Sequence, residues 1–376
     1  MAAVQVFAVE DTTAQLVWRR AHPGTVVVRG AGAPIECPTE AGPGSVVVEG
    51  LPPATTTVLE VSLPGAPPEP VPVTTGPAIA GPERVRIATV SDVHVGLHTF
   101  GLFKTVRERR PHGDPPSVRC ARAALAEAIA WGAELVVVKG DLTDGGKRAE
   151  WDEAAAILQP LAVPVVVLPG NHDLYRHAEI EPAEAGREHG LHVVDSVEHV
   201  DLPGVRVVLA VTATPGRSRG ELGRARAEAI ADSAAGGPAA LVMLHHQLAL
   251  RPEPPFYPPG IARSDGDPFL DSLAVAQPRS LVTSGHTHRH RRRTHGPVTV
   301  TTVGSTKDYP GTWAGYVAHD TGLRQVVRRV AAPDCLRWTE ATRRGAARQW
   351  ARLSEGTLGD RCFTLSWASE TGEIAR

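Results

Sequence analysis

The chain has 376 residues, 42% of them hydrophobic and 21% charged, and a formal net charge of −2. That length allows one large domain and a smaller one, with a substantial buried core, and a charge so near neutrality argues against a bulk electrostatic binder of nucleic acid. Gly (37) and Pro (33) are abundant, which speaks for many turns on a biased composition rather than for disorder. No run of roughly eighteen apolar residues occurs, so no transmembrane helix is expected. The opening "MAAVQVFAVEDTTAQLVW" lacks the basic start and continuous apolar stretch of a secretory signal. Cys37, Cys120, Cys335 and Cys362 form no close pair; reduced thiols in a cytoplasm are expected, with a Cys335–Cys362 bond as the lesser alternative.

Residues 1–63 read as a small β-sandwich. The runs "VQVFAVE", "AQLVWRR", "TVVVRG", "SVVVEG" and "TTTVLEVSL" are short, rich in Val and Thr, and bounded by Gly and Pro. Trp18 in an early strand, followed later by "GLPPATTTVLEV", resembles a fibronectin type III-like domain, with Thr57 where that family carries a tyrosine. Residues 64–84, "PGAPPEPVPVTTGPAIAGPER", hold too many prolines for a helix or a central strand and read as a linker.

From Val85 the pattern changes to buried-strand runs alternating with Ala-rich helical stretches, an α/β domain over 85–331. "VRIATV" is followed by a long loop, then by "VRCARAALAEAIAWGA" with Leu125, Ala128 and Ile129 on one face. "ELVVVKG", "KRAEWDEAAAILQPL", "VPVVVLPG", "VRVVLAVTA", "ALVMLHH" and "SLVTSGH" complete the series. The tail, 332–376, is polar but carries Trp338, Trp350 and Trp367. Aromatics need something to bury against, so the tail is expected to pack as an extension on the α/β domain. No internal repeat is present.

Chemistry collects where the buried runs stop. "IATV" leads into Ser91-Asp92-Val93-His94, "LVVVKG" into Asp141, "VVVLPG" into Asn171-His172-Asp173, "LVML" into His245-His246, and "SLVTSG" into His286-Thr287-His288. Open α/β sheets place their sites at such carboxyl ends. Carboxylate, amide and imidazole donors with no thiolate suit Mn, Fe, Zn or Co better than softer ions or Ca. Seven candidate ligands, Asp92, His94, Asp141, Asn171, His245, His286 and His288, exceed one tetrahedral ion and suffice for two if a carboxylate bridges. Paired ions roughly 3.5–4 Å apart recur where phosphorus undergoes in-line displacement.

In order, Asp92-x-His94, Gly140-Asp141, Gly170-Asn171-His172-Asp173, His245 and Gly285-His286-x-His288 resemble the five motifs of the calcineurin-like metallophosphoesterases over about residues 85–320. The resemblance implies a four-layer αββα sandwich following the small all-β domain. It implies that Asp92, His94, Asp141 and His288 hold one ion and Asp141, Asn171, His245 and His286 a second. Solvent between the ions would be acidified enough to attack phosphorus near neutral pH. His172 would touch a phosphate oxygen and protonate the leaving alkoxide, with Asp173 orienting its ring. The family's His stands two residues before a Pro, which favours His245; Gln247 replaces that Pro here, and His246 is left a supporting role. Asp144 stands where purple acid phosphatases carry a ferric-binding tyrosine, which argues for a divalent or low-potential mixed pair. "GNHD" and "GDLTD" resemble the cyclic-nucleotide phosphodiesterase branch, so a phosphodiester, nucleotide-like in character, is the leading substrate and a phosphomonoester the alternative.

Blander readings attach to the neighbours. His290, beside Arg289 and Arg291 to Arg293, reads as part of a solvated basic loop rather than a phosphate clamp. His98 reads as surface, with substrate contact as the lesser alternative, and Lys139 either pairs with an acid or faces solvent. The loops 98–117 and 251–268 are candidate walls: Phe100, Phe103, Phe256 and Tyr257 for stacking on a base, Arg107, Arg109 and Arg110 for phosphate. Lid packing or a homodimer contact is the equal alternative for these. A decayed, non-catalytic scaffold would have lost ligands, and none is lost; a nuclease on long DNA would want a basic stripe. The β-domain supports the enzyme or recruits a partner or carbohydrate.

Overall fold

The structure, a computed structural model, describes residues 3–367 apart from 102–103, 109–112, 249–257 and 346–348. At the N-terminus Val4–Val9, Ala14–Trp18 and Gly44–Val48 form one sheet, and Ile35–Thr39, Gly24–Arg29, Thr56–Ser62 and Glu69–Thr74, in that spatial order, form another. Alternate residues point inward, so Leu16, Trp18, Val26, Val28, Val48, Leu59, Val61 and Val73 share one core. The reading of 64–84 as a linker is corrected here: Glu69–Thr74 is a strand, paired antiparallel from Val61↔Glu69 to Thr56↔Thr74. It lies at the edge of its sheet. An edge strand owes hydrogen bonds to one side only, which tolerates Pro70 and Pro72, while Val71 and Val73 between and after them are buried.

Two larger sheets follow. The first runs His192–Val193, Val165–Leu168, Leu135–Lys139, Glu83–Val90, Thr312–His319, Gly322–Arg329 and Phe363–Ser366; the second runs Val197–Leu202, Val205–Ala210, Ala240–Leu244, Ser280–Ser284, Val298–Thr302 and Arg291–His295. Central strands such as Leu135–Lys139, Ala240–Leu244 and Ser280–Ser284 are buried at every residue, which is why they read as apolar runs without alternation. Ile87, Val137, Leu209, Met243 and Leu281 fill the space between the sheets. Helices Pro116–Ala130 and Arg148–Leu158 bury Leu125, Ala128, Trp151 and Ile157 on the outer face of the first sheet. Helices Arg224–Ala235 and Arg263–Ala276 cover the second with Ile230, Phe269 and Leu273. The result is a four-layer αββα sandwich.

Past Arg329 the chain continues into helix Pro333–Thr342, short helices Trp350–Ser354 and Leu358–Arg361, and the strand Phe363–Ser366, which extends the first sheet beside Gly322–Arg329. Trp338 is buried. The four cysteines are free. The β-domain docks on the same strand: Gln15 donates to the Arg329 carbonyl at 2.7 Å and accepts from its N–H at 2.8 Å, Arg324 pairs with Asp11 at 2.9 Å, and Arg328 pairs with Glu10. Among the described residues no helix is long and apolar enough to cross a membrane.

Candidate metal centre

The five strand ends converge through unusual backbone. Among the described residues, seven non-glycine positions have positive φ, and five of them are Asp92, His94, Asp141, His286 and His288, at 51° to 65°. Left-handed backbone at such residues costs about 1–3 kcal/mol each and persists only where the surroundings hold it. Here they do: His94 N–H donates to the Asp141 carbonyl at 2.9 Å and Asp92 N–H to that of Gly140 at 3.1 Å. The amide of His286 donates to both Asp92 oxygens at 3.0 and 3.1 Å, and that of His172 donates to Asp141 Oδ1 at 2.8 Å. Two glycines are there for space. A Cβ at Gly140 would lie 2.0 Å from the His245 ring, and one at Gly170 2.2 Å from Asp141 Oδ1.

Four overlapping groups each bring one ligand atom per residue to within 4.8 Å of one another: Asp92, His94 and His288; Asp92, Asp141 and His245; His245, His246 and His286; and His94, Asp144 and His172. The two oxygens of Asp141 face different histidines, Oδ2 lying 3.7 Å from His94 Nε2 and Oδ1 3.2 Å from His245 Nε2. Asp92 Oδ1 is 3.4 Å from His288 Nε2, and Asn171 Oδ1 is 3.2 Å from His245 Nε2. Donor atoms each about 2.1 Å from a shared ion would be about 3–3.4 Å apart, so the donor set fits transition ions. Among the described residues four buried imidazole nitrogens have no hydrogen-bond partner, and two of them, His94 Nε2 and His246 Nε2, belong to these groups, where a ligand would satisfy them.

Burial and charge act against each other throughout. Burial disfavours charge on His288, but Asp308 and Asp92 outweigh it and push the imidazole up to about 10. Burial likewise opposes charge on His245, and Asp141 reverses the balance, to about 9. For His94 burial wins, aided by His172 and Lys307, and the imidazole falls to about 4. The carboxyls of Asp92 and Asp141 are lowered despite burial, by His288 and His245 respectively. Lys139 neither faces solvent nor pairs closely with an acid: it is buried, its Nζ donates to Thr283 Oγ1 at 2.9 Å, and burial lowers it to about 7 with Asp92 partly offsetting.

Several expectations change. Asp173 does not orient His172. It is buried and accepts from the amides of Thr143 and Gly170 and from the Thr143 hydroxyl at 2.7–2.8 Å, so it ties the Asp141 loop to the Asn171 loop. Asp144 takes over the ring: His172 Nδ1 donates to its carbonyl at 2.9 Å, with the carboxylate 3.5 Å away. His94 Nδ1 donates to Asp144 Oδ1 at 3.2 Å. His290 is not part of a solvated loop. It is fully buried, and its Nδ1 accepts from the Gly304 amide at 3.1 Å, because the C-terminal extension covers it. His246 is buried with Nδ1 2.9 Å from Thr212 Oγ1, and His98 is exposed. Phe100 is half-buried and packs on Trp350 at 5.5 Å; Arg107 is exposed. Phe103, Arg109, Arg110, Phe256 and Tyr257 lie outside the described residues.

Two residues escaped the sequence reading. Asp308 is fully buried with Oδ2 2.6 Å from His288 Nδ1. Tyr175 places its hydroxyl 2.8 Å from His172 Nε2. Neither belongs to a motif. Tyr175 stands two residues past "GNHD"; Asp308, twenty residues after His288, carried no local signal.

Residues 85–290 match the model of a family described as calcineurin-like phosphoesterase. Among solved structures the chain is similar to the purple acid phosphatase PPD1 of yellow lupin (Lupinus luteus) seeds, at 14% identity and TM-score 0.45 over 98% of this chain and 78% of that one. It is similar to a dimetal phosphatase from Danio rerio at 15% identity and TM-score 0.48, over 66% and 97% of the two chains. It is similar to PhoD at 10% identity and TM-score 0.44, over 88% and 87%. No curated protein matches it.

Proposed function

The chain belongs to the calcineurin-like phosphoesterase family, and from that premise we propose that this metal-dependent phosphoesterase cleaves a phosphodiester of nucleotide-like character. The observation that carries the phosphoesterase reading is the place of Asp141 within a run of overlapping carboxylate–imidazole groups, its two oxygens facing His94 on one side and His245 on the other. In this reading Asp92, His94, Asp141 and His288 hold one ion, and Asp141, Asn171, His245 and His286 a second, with His246 beside them. When bound, the pair supplies a solvent nucleophile near neutral pH and neutralises charge on the phosphoryl group. The donors favour Mn, Fe or Zn.

His172 has the remaining chemical task. Its Nδ1–H is committed to the Asp144 carbonyl, so Nε2 is the atom that exchanges protons. Burial opposes charge on this ring, but Asp141 and Asp144 outweigh it and raise the imidazole; with Asp141 committed to the ions, Asp144 is the group left to support a proton on Nε2 for a departing alkoxide. The Tyr175 hydroxyl holds Nε2 until a substrate oxygen takes its place. The diester preference is supported by "GNHD" and "GDLTD", and a nucleotide-like group by the Phe100–Trp350 pair, whose Trp350 ring lies 6.3 Å from that of His288.

We take 85–331 as the catalytic domain and 332–376 as its extension. The sandwich before them, in sheets of three and four strands, we read as fibronectin type III-like and structural in role. Four free cysteines support a reducing, cytoplasmic setting. The test is a side-by-side assay of bis- and mono-p-nitrophenyl phosphate, cyclic nucleotides and glycerophosphodiesters with Mn added. Diesters should show the higher kcat/KM. Faster turnover of monoesters would move the assignment to a phosphomonoesterase, and no turnover of any would favour a scaffold.

A further inference from the structure

His288 is backed by residues beyond the stretch that matches the family, which ends at residue 290. Asp308 is fully buried, and a buried carboxylate must have its oxygens satisfied. Its Oδ2 accepts from His288 Nδ1 at 2.6 Å, and its Oδ1 accepts from Trp350 Nε1 at 3.1 Å. With each oxygen claimed by a different donor, the carboxylate is fixed in rotation. It therefore fixes the His288 tautomer, leaving Nε2, the atom facing Asp92, to bind. We propose that Trp350, supplied by the C-terminal extension, is a positioning residue for His288, acting through Asp308. The proposal rests on the reading of His288 as a metal ligand.

The extension grips both segments that bracket the pocket here. Trp338 Nε1 donates to the Lys307 carbonyl at 2.6 Å, Tyr309 N–H to Thr342 Oγ1 at 2.8 Å, and the Tyr309 hydroxyl to Glu355 at 2.7 Å. On the other segment His290 N–H donates to the Ser354 carbonyl at 3.0 Å and Arg292 N–H to Asp360 at 2.8 Å. Residues 305–306 in turn touch the Asp92 loop, Ser305 Oγ donating to the Asp92 carbonyl at 2.8 Å and Thr306 N–H to that of Ser91 at 3.0 Å. Thus the tail buttresses the His288 half of the pocket.

The full-length protein and its Trp350→Phe, Asp308→Asn and double variants are titrated with manganese chloride by calorimetry, with electron paramagnetic resonance following the bound ions. Trp350→Phe keeps an aromatic ring beside Phe100 and removes the N–H together with the five-membered ring. It should weaken one ion roughly tenfold and leave the other unchanged. Asp308→Asn, close in shape to the native residue, should weaken the same ion about 10–100-fold, and the double variant should be no worse than Asp308→Asn. Wild-type affinity in Trp350→Phe, equal weakening of both ions, or additive losses in the double variant would overturn the proposal. A wild-type protein that takes a single manganese would refute the two-ion reading alone if Trp350→Phe weakens that ion, and would refute the proposal as well if it does not. No manganese uptake at all would refute both.

Discussion

The two halves of the pocket set similar proposed ligands on dissimilar supports. Around His288 the imidazoles lean on carboxylates: His94 Nδ1 on Asp144 at 3.2 Å and His288 Nδ1 on Asp308 at 2.6 Å. Around His245 they lean on neutral groups: His245 Nδ1 on the Lys139 carbonyl at 3.1 Å, His286 Nε2 on the Pro259 carbonyl at 3.3 Å, and His246 Nδ1 beside the Thr212 hydroxyl at 2.9 Å. A carboxylate and a backbone carbonyl both fix a tautomer by accepting the ring N–H, but the charged carboxylate raises the basicity of the ring more. With the ligands proposed above, the expectation is that the first half holds its ion more firmly than the second.

The severest way to break the comparison is at the shared residue. Asp141→Ala should remove both ions, measured by elemental analysis, and lower turnover by at least about a thousandfold; a variant that keeps two ions would end the bridging role. His172→Ala lies outside both halves. It should leave metal content intact and cost about 10²–10⁴-fold on alkyl leaving groups, with a much smaller loss on p-nitrophenyl esters. Equal losses on both would remove it from proton delivery. Asp144→Asn attacks the carboxylate-backed half, and manganese titration should show one ion weakened by about 10–100-fold. Thr212→Val probes the neutral half and should shift affinity by no more than about fivefold, the worth of one ordinary hydrogen bond. Comparable losses in these last two would erase the distinction.

The proposed ligands were legible because each follows a buried run and each motif is local: Asp92 and His94, or His286 and His288, sit two residues apart. What supports them was not. The role expected of Asp173 fell to Asp144, whose carbonyl accepts from His172, because both lie close to His172 in the chain and sequence proximity does not say which oxygen a ring nitrogen meets. His290 looked solvated among arginines, yet the extension seals it, its amide donating to Ser354, a partner too far along the chain for any local pattern to reveal. The Glu69–Thr74 strand was masked by Pro70 and Pro72, since the tolerance of an edge is a property of the sheet and not of the strand.

From sequence alone came the α/β layering, the family resemblance and the donor atoms, because burial periodicity and strand-end motifs are written within a few residues of one another. Only the tertiary structure decided the hydrogen-bond partners of the imidazoles, the left-handed backbone at five of the proposed ligands, and the reach of the tail toward His288. Those depend on which distant groups share a desolvated space, where a hydrogen bond to a carboxylate or to a carbonyl settles what an imidazole can do.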